Sequence, residues 1–214
     1  MTKESISELQ HSLLKAIGDK LAPYGFRTDL SNQSYRRDFD GGRSSFHIGF
    51  IEHEADFDCT ADVAIRFDKV EDLVNEDNKI LTKKERRETH TLGAELGNLR
   101  NKKQQRWAIA NERDIAPTVE QIIRAYTQTA ALYFDEYTDP TRALSVLSRD
   151  EKDAWLHCPI HVGRAKRAIA LSVVLGADKS SIKAIANEKI RFLQEANDPS
   201  LAVFRNFLKR LRLE

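Results

Sequence analysis

Between Phe57 and Phe67, apolar and polar side chains alternate without a break. Phe57, Cys59, Ala61, Val63, Ile65 and Phe67 share one parity, and Asp58, Thr60, Asp62, Ala64 and Arg66 share the other. Successive side chains of a strand point to opposite faces, so a period of two predicts a strand with one buried face and one mostly wet face. Phe46, Ile48 and Phe50 alternate in the same way with His47, Gly49 and Ile51. With His53-Glu54-Ala55-Asp56 as the loop, Phe50 falls opposite Cys59, Ile48 opposite Ala61 and Phe46 opposite Val63. Every apolar residue then meets another, a match that a slip of one residue destroys. Upstream, Asp40-Gly41-Gly42 is a hairpin signal, because tight primed turns need residues that tolerate positive φ. Either two-residue loop, Asp40-Gly41 or Gly41-Gly42, puts Tyr35 on the face of Phe46. With Gly41-Gly42 as the loop, Arg36 falls opposite His47 and His47 opposite Asp62, so the polar face carries a row Arg36, His47, Asp62 across three strands.

The flanking segments read as helices. Ser5 and Glu8 form a capping-box pattern, and Ile6, Leu9, Leu13, Ile17 and Leu21 follow at helical spacing until Pro23 and Gly25. Val70, Leu73 and Val74 predict a short helix, and Thr82 with Glu85 repeats the capping pattern. His90, Leu92, Ala94 and Leu96 alternate, as do Trp107 and Ile109, so two further strands are expected, with the polar run from Asn98 to Gln105 as the loop between them. A long helix starts at Asp114 to Pro117, with Val119, Ile122, Ile123, Tyr126, Ala130 and Tyr133 on its apolar face. From Thr138 onward there is no strand signal. Asp139-Pro140 and Asp198-Pro199 each place an N-cap before a proline at the first helical position. Arg164 to Leu175 is expected to be helical up to Gly176. Ile182, Ile185, Ala186, Phe192 and Leu193 mark another helix, and Leu201, Phe204, Leu208 and Leu211 mark the last.

The expected fold is therefore α+β: an antiparallel sheet of about five strands with helices on one face, followed by an all-helical segment. The expected domains are residues 1–138, holding the meander, and residues 139–214, an extension of three to four helices packed on the first, since isolated helices are marginal.

Composition narrows the setting. The 214 residues are 41% hydrophobic and 31% charged, as in a folded water-soluble chain. A net charge of +1 gives no global attraction to nucleic acid or anionic membrane. Two cysteines, Cys59 and Cys158, are too few for a disulfide scaffold, no apolar signal core opens the chain, and no stretch reaches the roughly 20 apolar residues of a membrane span. The expectation is a cytoplasmic protein that does not engage a membrane.

The order of elements resembles a known family. Leu21-Ala22-Pro23-Tyr24-Gly25-Phe26-Arg27 leads to Tyr35-Arg36-Arg37 and the meander; His90 to Leu99, Trp107 and Asp114 then precede a long helix. This succession of Gly-Phe, Tyr-x-Arg, Leu-Gly-x-Leu and Trp is similar to the bacterial "domain of unknown function 4304" family over about residues 5–150; the later helices lie outside the resemblance. It implies an α+β fold with an antiparallel sheet and supplies no activity and no catalytic residues. Some small bacterial domains of this build resemble immunity proteins that neutralise toxins, an analogy of fold alone.

Candidate chemistry is sparse. Arg36, His47 and Asp62 join a cation, an imidazole and a carboxylate on one sheet face; the plainer reading is a cross-strand polar ladder, each pair contributing roughly 0.2–1 kcal/mol. Glu52, Glu54, Asp56, Asp58 and Asp62 with His53 could offer oxygen ligands to a cation, but they lack the spacing of a calcium loop, and charge at turns and edges also blocks unwanted strand pairing. Cys158-Pro159-Ile160-His161, with His157, has too few ligands for a structural zinc site and reads as a helix-connecting loop. No metal site and no cofactor is expected. No nucleophile elbow, phosphate loop or dinucleotide fingerprint occurs.

Charge is segregated. Ten acids and two bases occupy residues 52–77, whereas nine bases and three acids occupy residues 79–106. Lys83, Lys84, Arg86, Arg87, Lys102, Lys103 and Arg106 are the candidate basic patch, able to grip phosphates with Trp107 stacking on a base; the plainer readings are a solvated face and a core tryptophan. The cations of the last helix, Arg205, Lys209, Arg210 and Arg212, also suit a helix C-terminus. The functional expectation is a non-enzymatic module that binds another protein, an interaction or immunity-like role, with opposed charged segments suited to electrostatic recognition. The alternatives are a hydrolase-type enzyme using the polar sheet face and nucleic-acid binding through residues 79–106.

Overall fold

The computed structural model describes residues 3–213, with side chains from residue 6 onward. The Ser5–Glu8 capping pattern lies outside the described side chains. Helix α1 (Lys3–Leu21) leads through a short 3-10 turn to β1 (Arg27–Asp29), β2 (Ser34–Phe39), β3 (Gly42–Glu52) and β4 (Phe57–Phe67). There follow α2 (Asp68–Asn75), α3 (Lys83–Glu88), β5 (Leu92–Glu95), α4 (Leu96–Asn101) and β6 (Trp107–Ile109). The rest is helical: α5 (Ile115–Ala125), a π-helical stretch (Tyr126–Ala130), α6 (Ala131–Tyr137), α7 (Pro140–Leu147), α8 (Lys152–His157), α9 (His161–Val174), α10 (Lys179–Glu195) and α11 (Leu201–Arg210). This is an α+β fold with an antiparallel sheet and a helical C-terminal part.

Strands β1 to β5 neighbour one another in chain order, and β6 also pairs β4. The turn between β2 and β3 is Asp40-Gly41, where Gly41 supplies a φ of 79° that a side chain would strain. Tyr35 thereby lies opposite Phe46, their ring centroids 6.3 Å apart. This corrects the row drawn with Gly41-Gly42 as the loop: Arg36 lies opposite Ser45, and His47 opposite Ser34. The observed register keeps two buried aromatic rings in contact, where the other loop would have set Tyr35 against Ile48. Parity is unchanged, so Arg36 stays on the face of His47, one pair along. Between β3 and β4 the loop is residues 53–56, closed by the His53 N–H donating to the Asp56 carbonyl at 3.0 Å.

The core face of the sheet is as the alternation requires, but the face expected to be wet is not open along β4, where Thr60, Ala64 and Arg66 are buried as well. Tyr35, Phe46, Ile48, Phe57, Cys59, Ala61, Val63 and Ile65 are all buried. Each large side chain so buried contributes roughly 1.5–3 kcal/mol. Leu13, Ile17 and Leu21 of α1 are buried too, and the Tyr35 hydroxyl donates to the Leu14 carbonyl at 2.7 Å. Tyr126, in the π-helical stretch, meets Phe46 at 5.7 Å, Phe26 at 5.8 Å and Tyr24 at 5.0 Å. β6 sets Ile109 opposite Phe57 and Trp107 opposite Cys59, which buries the indole.

Three helical boundaries depart from expectation. Residues 98–101 belong to α4 rather than to a loop, because the Glu95 carboxylate caps it, accepting from Gly97 N at 2.9 Å and Asn98 N at 2.8 Å. α11 begins at Leu201 rather than at Pro199, since Asp198 is engaged in a turn with the Ser200 N–H and hydroxyl. The C-terminal part carries α7 to α11, where three to four helices were expected; the addition is the short α8. Thr82 and Glu85 do form the reciprocal box that opens α3, at 3.2 and 2.7 Å.

The chain gathers into two compact units that interleave in sequence. The first comprises Met1–Ile65 and Ala94–Asp135, the second Arg66–Gly93 and Glu136–Glu214. In the second, α9 is the hub against which α2, α7, α10 and α11 all pack. Its Ala165, Ala168 and Ala170 are buried, and side chains this small let neighbouring helices approach closely.

Candidate functional site

Three segments of the second unit surround a cleft of about 690 Å³, within the range of ligand sites. The first is the connector between α2 and α3. Arg86 holds it by donating Nε to the Leu81 carbonyl at 3.2 Å, Nη1 to that of Glu76 at 3.5 Å and Nη2 to that of Asn78. The Asn78 side chain accepts from Ile80 N at 3.1 Å. So fastened, the connector presents Lys79 and Ile80 to the cleft. The second segment is Ile160 with the first half of α9, where Val162 and Lys166 lie one turn apart on the same face. The third is α11, which lines the cleft with Val203, Phe207 and Arg210.

The apolar rim is unusually open for such side chains: Ile80 is 92% exposed, Ile160 67% and Val203 49%. The cations behave differently from one another. Arg167 is committed to Glu71, Nε to Oε1 at 2.8 Å and Nη2 to Oε2 at 3.1 Å. Arg210 is committed to Asp77, to the Leu73 carbonyl and to Glu76 at 3.5 Å, and its guanidinium lies 5.3 Å from the Phe207 ring. Lys166 is half-buried and has no ion-pair or hydrogen-bond partner among the described residues; its ammonium lies 5.7 Å from the Phe207 ring. Burial, followed by the nearby Arg210 and Arg167 charges, holds its pKa below the usual lysine value, against a smaller attraction from Asp77. Lys79, at the exposed end, also has no such partner among the described residues. Chemically, the cleft combines an apolar rim with two ammonium groups that form no ion pair with a carboxylate among the described residues.

The residues singled out from the sequence are dispersed. On the polar face of the first unit, His47 Nδ1 lies 3.7 Å from an Asp62 carboxylate oxygen, both side chains being more than two-fifths exposed. Arg36 turns instead to Asp29, at 3.2 Å, and to the Ser34 hydroxyl, at 3.4 Å. Asp58 lies 3.4 Å from His53 and 3.6 Å from Arg106. Among the described residues, no group of three or more His, Cys, Asp or Glu is arranged to hold a metal ion. Nor is any helix long and apolar enough to cross a membrane. Of the basic candidates, Lys83, Lys84, Arg86 and Arg87 fall in the second unit, whereas Lys102, Lys103 and Arg106 fall in the first. Arg86 serves the connector, Arg106 reaches Asp58 and Gln104, and the buried Trp107 has no face left for a base.

The Cys158 region is a helix connection. Cys158 is buried and its thiol is pushed up, chiefly by that burial, the reverse of an activated nucleophile. His161 sits between Trp155 at 5.2 Å and Phe192 at 4.9 Å, and its Nδ1 lies 4.0 Å from Asp198.

Sequence reasoning missed Lys166, Ile80, Ile160, Val203 and Phe207 as a site. One signal was present: Val203, Phe207 and Arg210 make a second stripe on α11 beside the core stripe of Phe204 and Leu208. No protein-family model matches this chain, and neither curated proteins nor solved structures provide a match.

Proposed function

We propose that this chain is a non-enzymatic interaction module that binds another protein, with the cleft of the second unit as its contact surface. The observation that carries the proposal is the rim: Ile80, Ile160 and Val203 stand open to solvent around one depression. Apolar side chains grouped around a depression are a poor arrangement for a free surface and a good one for an interface, where central apolar anchors dominate the binding energy.

The test is affinity capture from extracts of the protein's own cells at low salt, with the native chain and an Ile80→Asp/Val203→Asp variant as baits. Both positions are exposed, so the variant keeps the native circular dichroism and unfolding midpoint. The native chain is expected to retain a protein that the variant does not. Identical retention by both baits, or none by either, overturns the proposal.

A further inference from the structure

We propose that the cleft receives an acidic, amphipathic peptide segment of a partner protein: its apolar side chains seat against Ile80, Val203 and Phe207, and a carboxylate closes on the ammonium groups of Lys166 and Lys79. This rests on the binding-module reading and names the chemistry of the partner.

The argument begins with how the four cations of the cleft are used. Although the buried Arg210 Nε has no hydrogen-bond partner among the described residues, Arg167 is paired with Glu71 and Arg210 with Asp77 and Glu76, so both charges are matched by carboxylates. That of Lys166 is not. An ammonium group that has lost part of its water without gaining a carboxylate is held at a disadvantage, and an incoming anion removes that disadvantage. Crowding by two guanidinium charges depresses the Lys166 pKa and acts in the same sense. The pairings of Arg167 and Arg210 also mean that little has to rearrange when the anion arrives.

Two further features choose among anions. The free cations are lysines, point charges that suit a single carboxylate; planar bidentate recognition of phosphate is the work of arginine, and here the arginines are occupied. The rim side chains beside the two lysines, Ile80, Ile160 and Val203, are apolar, and a phosphodiester backbone cannot use them. Ile80 and Ile160, on the rim, are too exposed to be covered by a small molecule seated in the cleft, whereas a chain running through and beyond it covers both.

The experiment selects peptides from a random displayed library on the full-length chain at low salt, then measures the enriched peptides by fluorescence anisotropy. The expected peptides combine Asp or Glu with Leu, Ile, Phe or Trp. Val203→Asp should abolish their binding, and Lys166→Gln should weaken it about tenfold, the scale of one charge-assisted contact. Lys79→Gln, at an exposed position that the fold does not depend on, should weaken it by a smaller factor and reduce its salt dependence. A peptide with its acid changed to Lys should bind the Lys166→Glu variant better than it binds the native chain. Enriched peptides that need Val203 but lack acids and ignore Lys166 would overturn the acidic partner while leaving the cleft a protein-binding surface. Failure to enrich any peptide sensitive to Val203→Asp would overturn both. Retention of a labelled random-sequence RNA or DNA oligonucleotide, lost with Lys166→Gln, without any acidic peptide, would overturn the proposal in favour of nucleic acid.

Discussion

Arg167 of α9 closes on Glu71 of α2 through two parallel contacts, Nε to one carboxylate oxygen at 2.8 Å and Nη2 to the other at 3.1 Å. Glu71 is fully buried, and Asn75 Nδ2 donates to it at 3.2 Å. The carboxylate is thus satisfied from two helices, with a geometry that only a guanidinium provides.

Removing one member strands the other. Glu71→Ala is expected to destabilise the fold by about 3–5 kcal/mol, because Arg167 keeps its charge and loses its partner. A Glu71→Leu/Arg167→Leu double variant should recover most of that loss, since replacing a buried pair with apolar groups is often neutral. Urea unfolding of Glu71→Leu, Arg167→Leu and the double variant measures the coupling; simple additivity would contradict the expectation.

Asp150 makes the sharper case. Its Oδ1 accepts from Arg164 Nη2 and from Lys189 Nζ, each at 2.9 Å, and both cations are buried. Arg164 also donates to the Cys158 carbonyl at 2.7 Å, and Lys189 to that of Arg149 at 3.2 Å. Asp150→Asn leaves two buried cations facing a neutral amide, so a loss of about 3–5 kcal/mol is expected. Lys189→Met should be milder: it removes the cation whose pKa burial already pushes down, and Arg164 keeps its carboxylate. Denaturant midpoints would rank the two, and the reverse order would contradict this account.

Gly97 belongs to the Leu-Gly-x-Leu motif, and its role is steric. A Cβ there would lie 2.4 Å from Gln105 N and 2.6 Å from the Lys103 carbonyl oxygen. These are backbone atoms, so no rotamer change relieves the clash. Gly97→Ala should destabilise by about 1–3 kcal/mol, opposite in sign to the usual gain from alanine in a helix. The comparison is Asn98→Ala in the same helix, with melting temperatures as the readout.

His157 predicts a pH dependence. Burial, then the positive charge of Arg149, pushes its pKa from 6.5 down to about 4, with Asp153 opposing. The folded value lies below the unfolded one, so the contribution is complete above the unfolded pKa. As pH falls from about 6.5 to about 4, the unfolded chain takes up a proton that the folded chain refuses, and stability declines by about 2–3 kcal/mol. Below about pH 4 this group causes no further loss. A His157→Gln variant, which cannot titrate, should lack this part of the slope when unfolding free energies are compared at pH 7 and pH 4.5.

Much of the sheet was legible without coordinates. Alternation from Phe57 to Phe67 reports which side of a strand each residue occupies, and the match with Phe46, Ile48 and Phe50 selects a register because a slip would put every apolar side chain in water. The Thr82–Glu85 box and the Asp139-Pro140 cap are complete within four residues, so they too are readable locally. The choice between Asp40-Gly41 and Gly41-Gly42 was not, since both satisfy parity; contact between the rings of Tyr35 and Phe46 accompanies the register adopted.

What the amino-acid order determined by itself is the α+β class, the meander and its greasy side, because those follow from periodicities of a few residues. Only the tertiary structure decided that Arg66–Gly93 joins the C-terminal helices in one unit, and which charges go unpaired. Arg167 finds Glu71 across 96 positions and Arg210 finds Asp77 across 133, while Lys166, beside both arginines, pairs with no carboxylate among the described residues. Whether a cation is neutralised depends on which distant segments fold against it, and spacing along a chain carries no record of that.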